Sequence, residues 1–90
     1  MLDRTVTVIN PLGLHARAAA QLVRLAHTFA CSITLKRDDT GIEADAKSIL
    51  NLLYIAASKG VTLHIITDGA DEADAMAAIE QLFITGFGEL

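Results

Sequence analysis

The hydropathy of this 90-residue chain switches back and forth between a period of two and a period near 3.6, and few folds accept the order in which it does so. Residues 4–9 (RTVTVI) alternate, Val6 and Val8 on one face and Thr5 and Thr7 on the other, as a half-buried strand does. Asn10, Pro11 and Gly13 then break the pattern. From Ala16 to Phe29 the period is helical: Ala19, Leu22, Val23, Ala26 and Phe29 or Ala30 share a face, opposite Arg17, Gln21, Arg24 and Thr28. Ser32 to Lys36 alternates again, with Ile33 and Leu35 inward. After the turn Arg37–Gly41, Ile42, Ala44 and Ala46 alternate with Glu43 and Asp45, which predicts a hairpin. Ser48 is placed to cap a helix from Ile49 to Ser58 that stops at Gly60. Val61 to Thr67 is a fourth strand with Val61, Leu63 and Ile65 inward. Asp71 is placed to cap a last helix, whose inner face is Ala75, Ala78, Ile79, Leu82 and Phe83 and whose end is Gly86.

The order is βαββαβα. Every strand has one apolar and one polar face, which predicts an α+β open-faced sandwich: a four-stranded antiparallel sheet with three helices on one face and water on the other. The two βαβ crossings around a central hairpin insert the fourth strand between the first and second, giving the order 1-4-2-3. No repeat, low-complexity tract or linker interrupts the chain, so residues 1–90 are expected to form a single domain. Apolar residues make up 52% of it but aromatics only 4%, with no Trp, so the core must be aliphatic and rich in alanine.

Eleven Asp and Glu against seven Lys and Arg give a net charge of −4, which argues against a nucleic-acid partner. The lone cysteine, Cys31, cannot form an internal disulfide, and its place at the end of a helical pattern suits a small, buried, inert thiol. There is no charged-then-apolar leader and no long apolar stretch to engage a membrane. The expectation is a cytoplasmic monomer.

The chemistry concentrates in residues 13–20, GLHARAAA, where His15 stands at the mouth of a helix. A helix N-terminus offers unpaired N–H groups and about half a positive charge, and so favours an anion. Arg17, at the second helical position, adds a fixed cation whose forked donors suit phosphate. A neutral imidazole, well populated near neutral pH, is a competent nucleophile toward phosphorus. The turn therefore looks built to carry phosphate on His15. A metal site fails for want of ligands: His27 lies about three helical turns further on, His64 falls on the outer face of a strand, and no Cys/His pair has ligand spacing. His27 and His64 read as solvent-facing, His27 at most bordering a docking surface. No nucleophile elbow marks a hydrolase, and no cofactor is implied.

The stretch NPLGLHARAA (residues 10–19), with Ala46-Lys47-Ser48-Ile49, Lys59-Gly60, the Thr67–Asp71 turn and the Gly86-Phe87-Gly88-Glu89 ending, resembles the histidine-containing phosphocarrier (HPr) family over essentially the whole chain. The resemblance implies a carrier protein rather than an enzyme. His15 would accept a phosphoryl group on Nδ1 from phospho-enzyme I of the phosphoenolpyruvate-dependent phosphotransferase system and pass it to enzyme IIA proteins. It matches Arg17 to the arginine beside the phosphate, and the N–H groups of Ala16 and Arg17 to its backbone donors. Ser48 matches a serine that, in part of the family, an HPr kinase/phosphorylase modifies as a regulatory switch. Leu14, Arg17, Ala20, Arg24, Ile49, Leu50 and Leu53 match the partner-docking surface.

The apolar run Ile49, Leu50, Leu52, Leu53, Tyr54, Ile55 supports docking independently, being wider than one buried face requires. Most relatives have proline where this chain has Ala18. Asn51, in place of a lysine of some sugar-system members, and the LFITGF tail leave open an alternative: a regulatory member of the nitrogen-related branch acting mainly by protein binding. A small-molecule regulatory domain of similar layout is opposed by the Gly-x-His-Ala-Arg turn, and an interaction module that has lost phosphotransfer is opposed by the presence of His15.

Overall fold

A computed structural model describes residues 1–90. The alternating segments pair as β1 (Leu2–Thr7), β2 (Ser32–Arg37), β3 (Glu43–Asp45) and β4 (Thr62–Asp68), and the helical ones form α1 (Ala16–Ala26), α2 (Ile49–Ile55) and α3 (Glu72–Ile84). The sheet is antiparallel throughout, in the order β1-β4-β2-β3 that the crossings predict. Register places Leu35 opposite Ile65 on one side and Ala44 on the other. All three are buried, together with Leu22 of α1, Leu52 and Ile55 of α2 and Met76, Ile79 and Phe83 of α3. Burying an aliphatic side chain of this size contributes about 1.5–3 kcal/mol, so this layer between sheet and helices carries the fold. Cys31 is buried within it as a free thiol, and burial, with Asp71 close by, pushes its pKa up.

Boundaries differ from the sequence reading where a local hydrogen bond outweighs the periodicity. β1 runs from Leu2 to Thr7 rather than 4–9, although Val8 still exchanges backbone bonds with Gly60 and Val61. α1 stops at Ala26, because after a last helical bond from His27 N to Val23 O the N–H groups of Thr28 and Phe29 close tighter turns onto Leu25 O and Ala26 O, and the Thr28 hydroxyl also donates to Leu25 O. Phe29 is half-buried and Ala30 exposed. β3 begins only at Glu43, which leaves Ile42 in the turn and exposed rather than inward. In α3 the core position falls to Met76, with Ala78 and Leu82 half-buried; in β4 Thr67 is buried and Val61 only half-buried.

Three further corrections concern caps and histidines. α2 ends at Ile55 rather than Ser58, and Ala56, not Gly60, takes the left-handed conformation that stops it (φ 51°). Asp71 precedes α3 but makes no side-chain cap. Its carboxylate instead accepts from the N–H groups of Ala30 (2.8 Å) and Cys31 (2.9 Å), tying the α1–β2 connection to the start of α3. His64 does not simply face solvent: its ring is half-buried between Asp3 (3.0 Å) and Asp38 (2.9 Å), whose carboxylates, Asp38 first, raise its pKa. His27 is exposed, with Nε2 3.0 Å from Lys47 O.

Candidate functional site

The turn from Asn10 to His15 is fixed by backbone before any side chain acts. Gly13 N donates to Asn10 O (3.1 Å) and Leu14 N to Ala57 O (2.8 Å), so the turn lies against the chain leaving α2. Gly13 has φ +63°, and a Cβ there would come within 2.5 Å of Ala57 O and 2.8 Å of Ser58 Cα. Only glycine fits. Leu14 points into the core, with 4% of its surface exposed; it supports the turn from beneath and offers a partner nothing, contrary to its assignment to the docking surface.

His15 is the N-cap of α1, extended at φ −75°, ψ 179°, and its carbonyl accepts the first helical bond from Ala19 N (2.8 Å). Its side chain caps nothing. The N–H groups of Ala16, Arg17 and Ala18 therefore have no partner, and the first turn holds no acidic residue. Arg17 is exposed and makes no hydrogen bond or ion pair within the protein. Three amides and an uncommitted guanidinium at one helix end form a donor set for a tetrahedral anion.

The half-buried His15 ring is held on one side only. Nε2 hydrogen-bonds Glu89 Oε2, while Nδ1 has no hydrogen-bond partner. The other oxygen of Glu89 accepts from Asn10 Nδ2 (2.9 Å), which also donates to Gly13 O (2.8 Å). The Asn10 amide is the first cause, and His15 and Arg17 the next, of a Glu89 pKa held below the usual carboxylate range. Asn10 is buried and its Oδ1 has no partner, a cost of about 1–3 kcal/mol accepted beside the site. Neither Asn10 nor Glu89 was given a role by the sequence reading. Glu89 lies 74 residues from His15, and its only sequence signal was its place in the Gly86–Glu89 ending.

α2 starts at Ser48, whose Oγ accepts from Asn51 N at 3.4 Å, as an N-cap does. The helix buries Leu52 and Ile55 and exposes Ile49, Leu50, Leu53 and Tyr54, Leu50 and Tyr54 most. Tyr54, part of the apolar run but not of the residues matched to the docking surface, joins the exposed patch. Ala20 is half-buried and Arg24 exposed on α1, which packs against α2. No group of three or more His, Cys, Asp or Glu side chains is assembled to hold a metal ion, and no helix is long and apolar enough to cross a membrane.

The family model described as "PTS HPr component phosphorylation site" matches residues 2–85, which include the whole His15 turn. The chain belongs to the HPr family. It is 46% identical over 89 residues to the phosphocarrier protein HPr of Cupriavidus necator, covering 99% of this chain and 98% of that one. It is 44% identical over 89 residues to that of Xylella fastidiosa, with the same coverage of each. Among solved structures, an HPr from Thermoanaerobacter tengcongensis superposes with a TM-score of 0.92 at 33% identity, covering 100% of this chain and 99% of that one. HPr proteins are phosphocarriers of the phosphotransferase system rather than catalytic enzymes, and the order 1-4-2-3 with three helices is their architecture.

Proposed function

We propose that this HPr-family chain, acting as one domain over residues 1–90, takes a phosphoryl group from phospho-enzyme I onto Nδ1 of His15 and delivers it to enzyme IIA proteins. The observation that carries the reading is the arrangement at the α1 N-terminus. Nδ1 is the ring nitrogen left unbonded, beside three unpartnered amides and the free Arg17 guanidinium. Ala16 and Arg17 supply backbone donors to the phosphate, and the Arg17 side chain adds charge where negative charge develops in the transition state. The solvent-open setting suits a group that must leave again, since holding it too tightly would slow the second transfer.

Docking uses the surface around this turn: Arg17, Ala20 and Arg24 on α1, with Ile49, Leu50, Leu53 and Tyr54 on α2. An exposed apolar patch on so small a protein favours a contact role. Ser48, at the edge of that patch, is where an HPr kinase/phosphorylase would act. Phosphate there would still suit the N-terminus of α2, so its effect falls on partner binding rather than on the sheet. The expected setting is a cytoplasmic monomer with these protein partners and without nucleic acid or membrane. No observation favours the alternative of a mainly regulatory nitrogen-branch protein.

The test is incubation with phosphoenolpyruvate and enzyme I. The wild type is expected to acquire an acid-labile phosphate and His15→Ala none, with its fold retained because the ring is only half-buried. Label retained by His15→Ala would overturn the assignment.

A further inference from the structure

The group facing the other side of the His15 ring comes from the far end of the chain. Glu89 is held there by the turn Gly86–Gly88, in which Phe87 adopts φ 57°, unusual for a non-glycine residue, and is buried edge-on against Phe83 with ring centres 5.0 Å apart. A carboxylate only accepts hydrogen bonds, so the ring nitrogen against it must carry the proton. In a neutral imidazole that leaves the lone pair on Nδ1. The orientation of Asn10 is fixed in the same way. Its Nδ2 lies within hydrogen-bond distance of two pure acceptors, Gly13 O and Glu89 Oε1, and both of its N–H groups are committed.

We infer that Glu89 is a positioning residue for phosphoryl transfer: backed by Asn10, it holds His15 as the Nε2–H tautomer and balances the imidazolium created when Nδ1 takes the phosphate. The inference rests on the phosphocarrier reading of His15. In the step itself the Nδ1 lone pair forms a bond to phosphorus, and the bond from phosphorus to the donor's leaving atom breaks with its electron pair going to that atom. No proton moves. The ring passes from neutral to cationic, with Nε2–H facing Glu89 throughout. On delivery the pair returns to Nδ1 and neutral imidazole departs, a far better leaving group than the imidazolate that would form if Nε2 had lost its proton. Glu89 thus serves both half-reactions by keeping one proton in place, as the buried aspartate does for histidine in a hydrolase triad.

A carboxylate that merely ties down the C-terminal turn would predict similar effects for any neutral replacement. The polar chain predicts otherwise. In Glu89→Gln the two Asn10 N–H groups still require oxygens, so the glutamine gives its carbonyl to Asn10 and its NH2 to His15 Nε2. Nε2 must then accept, and the proton moves to Nδ1 and masks the nucleophile. In Glu89→Ala the ring loses its anchor but keeps a free choice of tautomer.

The experiment records the ring nitrogens of ¹⁵N-histidine-labelled, unphosphorylated protein by NMR, alongside the rate of phosphate acceptance from enzyme I. Wild-type His15 is expected to be protonated on Nε2 when neutral and Glu89→Gln on Nδ1. Acceptance should fall by about a hundredfold or more in Glu89→Gln, and by about tenfold less than that in Glu89→Ala. A wild-type ring protonated on Nδ1, a Glu89→Gln ring with the wild-type pattern, or Glu89→Ala as slow as Glu89→Gln would overturn the inference. The wild-type spectrum decides even if a variant fails to fold. Label on His15→Ala would remove the phosphocarrier reading itself; a tautomer indifferent to residue 89, in a protein that is labelled on His15, removes only the inference.

Discussion

The N-termini of α1 and α3 face the same electrostatic problem and meet it in opposite ways. At α3, Glu72 and Asp74 lie in the first turn, Thr67 Oγ1 donates to Glu72 O, Glu72 takes the chain's amino terminus and Gly69 N, and Asp71 accepts from Ala30 and Cys31. Anionic side chains thus offset the positive end of the helix and join it to its neighbours. Neither helix has a side-chain cap, but at α1 there is also no acidic residue in the first turn, three amides are unpartnered and an arginine is unpaired. One end is closed for stability; the other is left open at some cost in stability, with the buried Asn10 Oδ1 adding to that cost. Departures from local self-sufficiency of this kind mark function.

The sharpest way to break this contrast is to remove one group from each end. Arg17→Ala should slow phosphate acceptance from enzyme I by about a hundredfold, the scale for losing a preorganised donor to developing charge. Its Tm should stay within about 2 °C of wild type, because Arg17 is exposed and makes no hydrogen bond or ion pair, its only internal influence being a charge effect on Glu89. A large fall in Tm with transfer unchanged would make Arg17 structural and the contrast void.

Asp71→Asn should do the reverse. The amide oxygen can replace only one of the two acceptors for Ala30 and Cys31, so Tm should fall by about 5 °C or more while phosphate acceptance is unchanged. The two backbone N–H groups, Ala30 first, hold the Asp71 pKa below the ordinary carboxylate value. A depressed folded-state pKa gives stability that is present above the unfolded value of about 3.9 and is lost as pH falls through the folded one. The gap between wild type and Asp71→Asn should therefore be constant near neutrality and close progressively below about pH 4. Thermal melts at a series of pH values measure it, and a gap independent of pH would show that the charge contributes nothing.

The same contrast explains what was legible in the sequence. Period-two and period-3.6 patterns read out the four strands and three helices, because burial of one face dictates them, and the crossings around the hairpin gave the sheet order. The helix-start position of His15 and Arg17 was legible because the turn residues and the helical period meet within a few residues there. Asp71 was misread because the sequence places a cap-type residue before a helix but cannot show two N–H groups from the distant Ala30 and Cys31 competing for it. Leu14 was misplaced because adjacency to His15 says nothing of which way a side chain turns. Asn10 and Glu89 stayed without a role because their partnership is made only by folding. The end of α2 was misjudged because glycine is the usual left-handed residue, and here alanine takes that conformation at Ala56.

α2 lies between the two extremes, with a single side-chain cap and no acidic first turn. Ser48→Ala should lower stability by about 1 kcal/mol, readable from urea denaturation, with no change in His15 labelling by enzyme I at saturating carrier. Ser48→Asp should keep the cap and the stability yet weaken docking, since it puts a charge beside the exposed Ile49 and Leu50. If both variants lost stability equally, the hydroxyl would be contributing through something other than capping.

The smallest expected effect tests how open the α1 end is. Ala18 carries the third of the unpartnered amides, and its methyl is fully buried. If its N–H reaches the phosphate, Ala18→Pro removes a donor and should shorten the lifetime of phospho-His15 by about fivefold, the equivalent of one hydrogen bond of about 1 kcal/mol. Restriction of the unfolded chain by proline would by itself raise stability by up to about 1 kcal/mol, whereas fitting a larger ring where the alanine methyl is already buried works against that gain. The net change in Tm should therefore be small, and the hydrolysis rate of the phosphorylated form becomes the deciding measurement. Equal lifetimes in the two proteins would mean that the anion is held by Ala16, Arg17 and the guanidinium alone. The third amide would then be open only because a helix start leaves it so, as the amides of Ala73 and Asp74 are at α3, and the contrast would narrow to the missing acidic residues and the unpaired arginine.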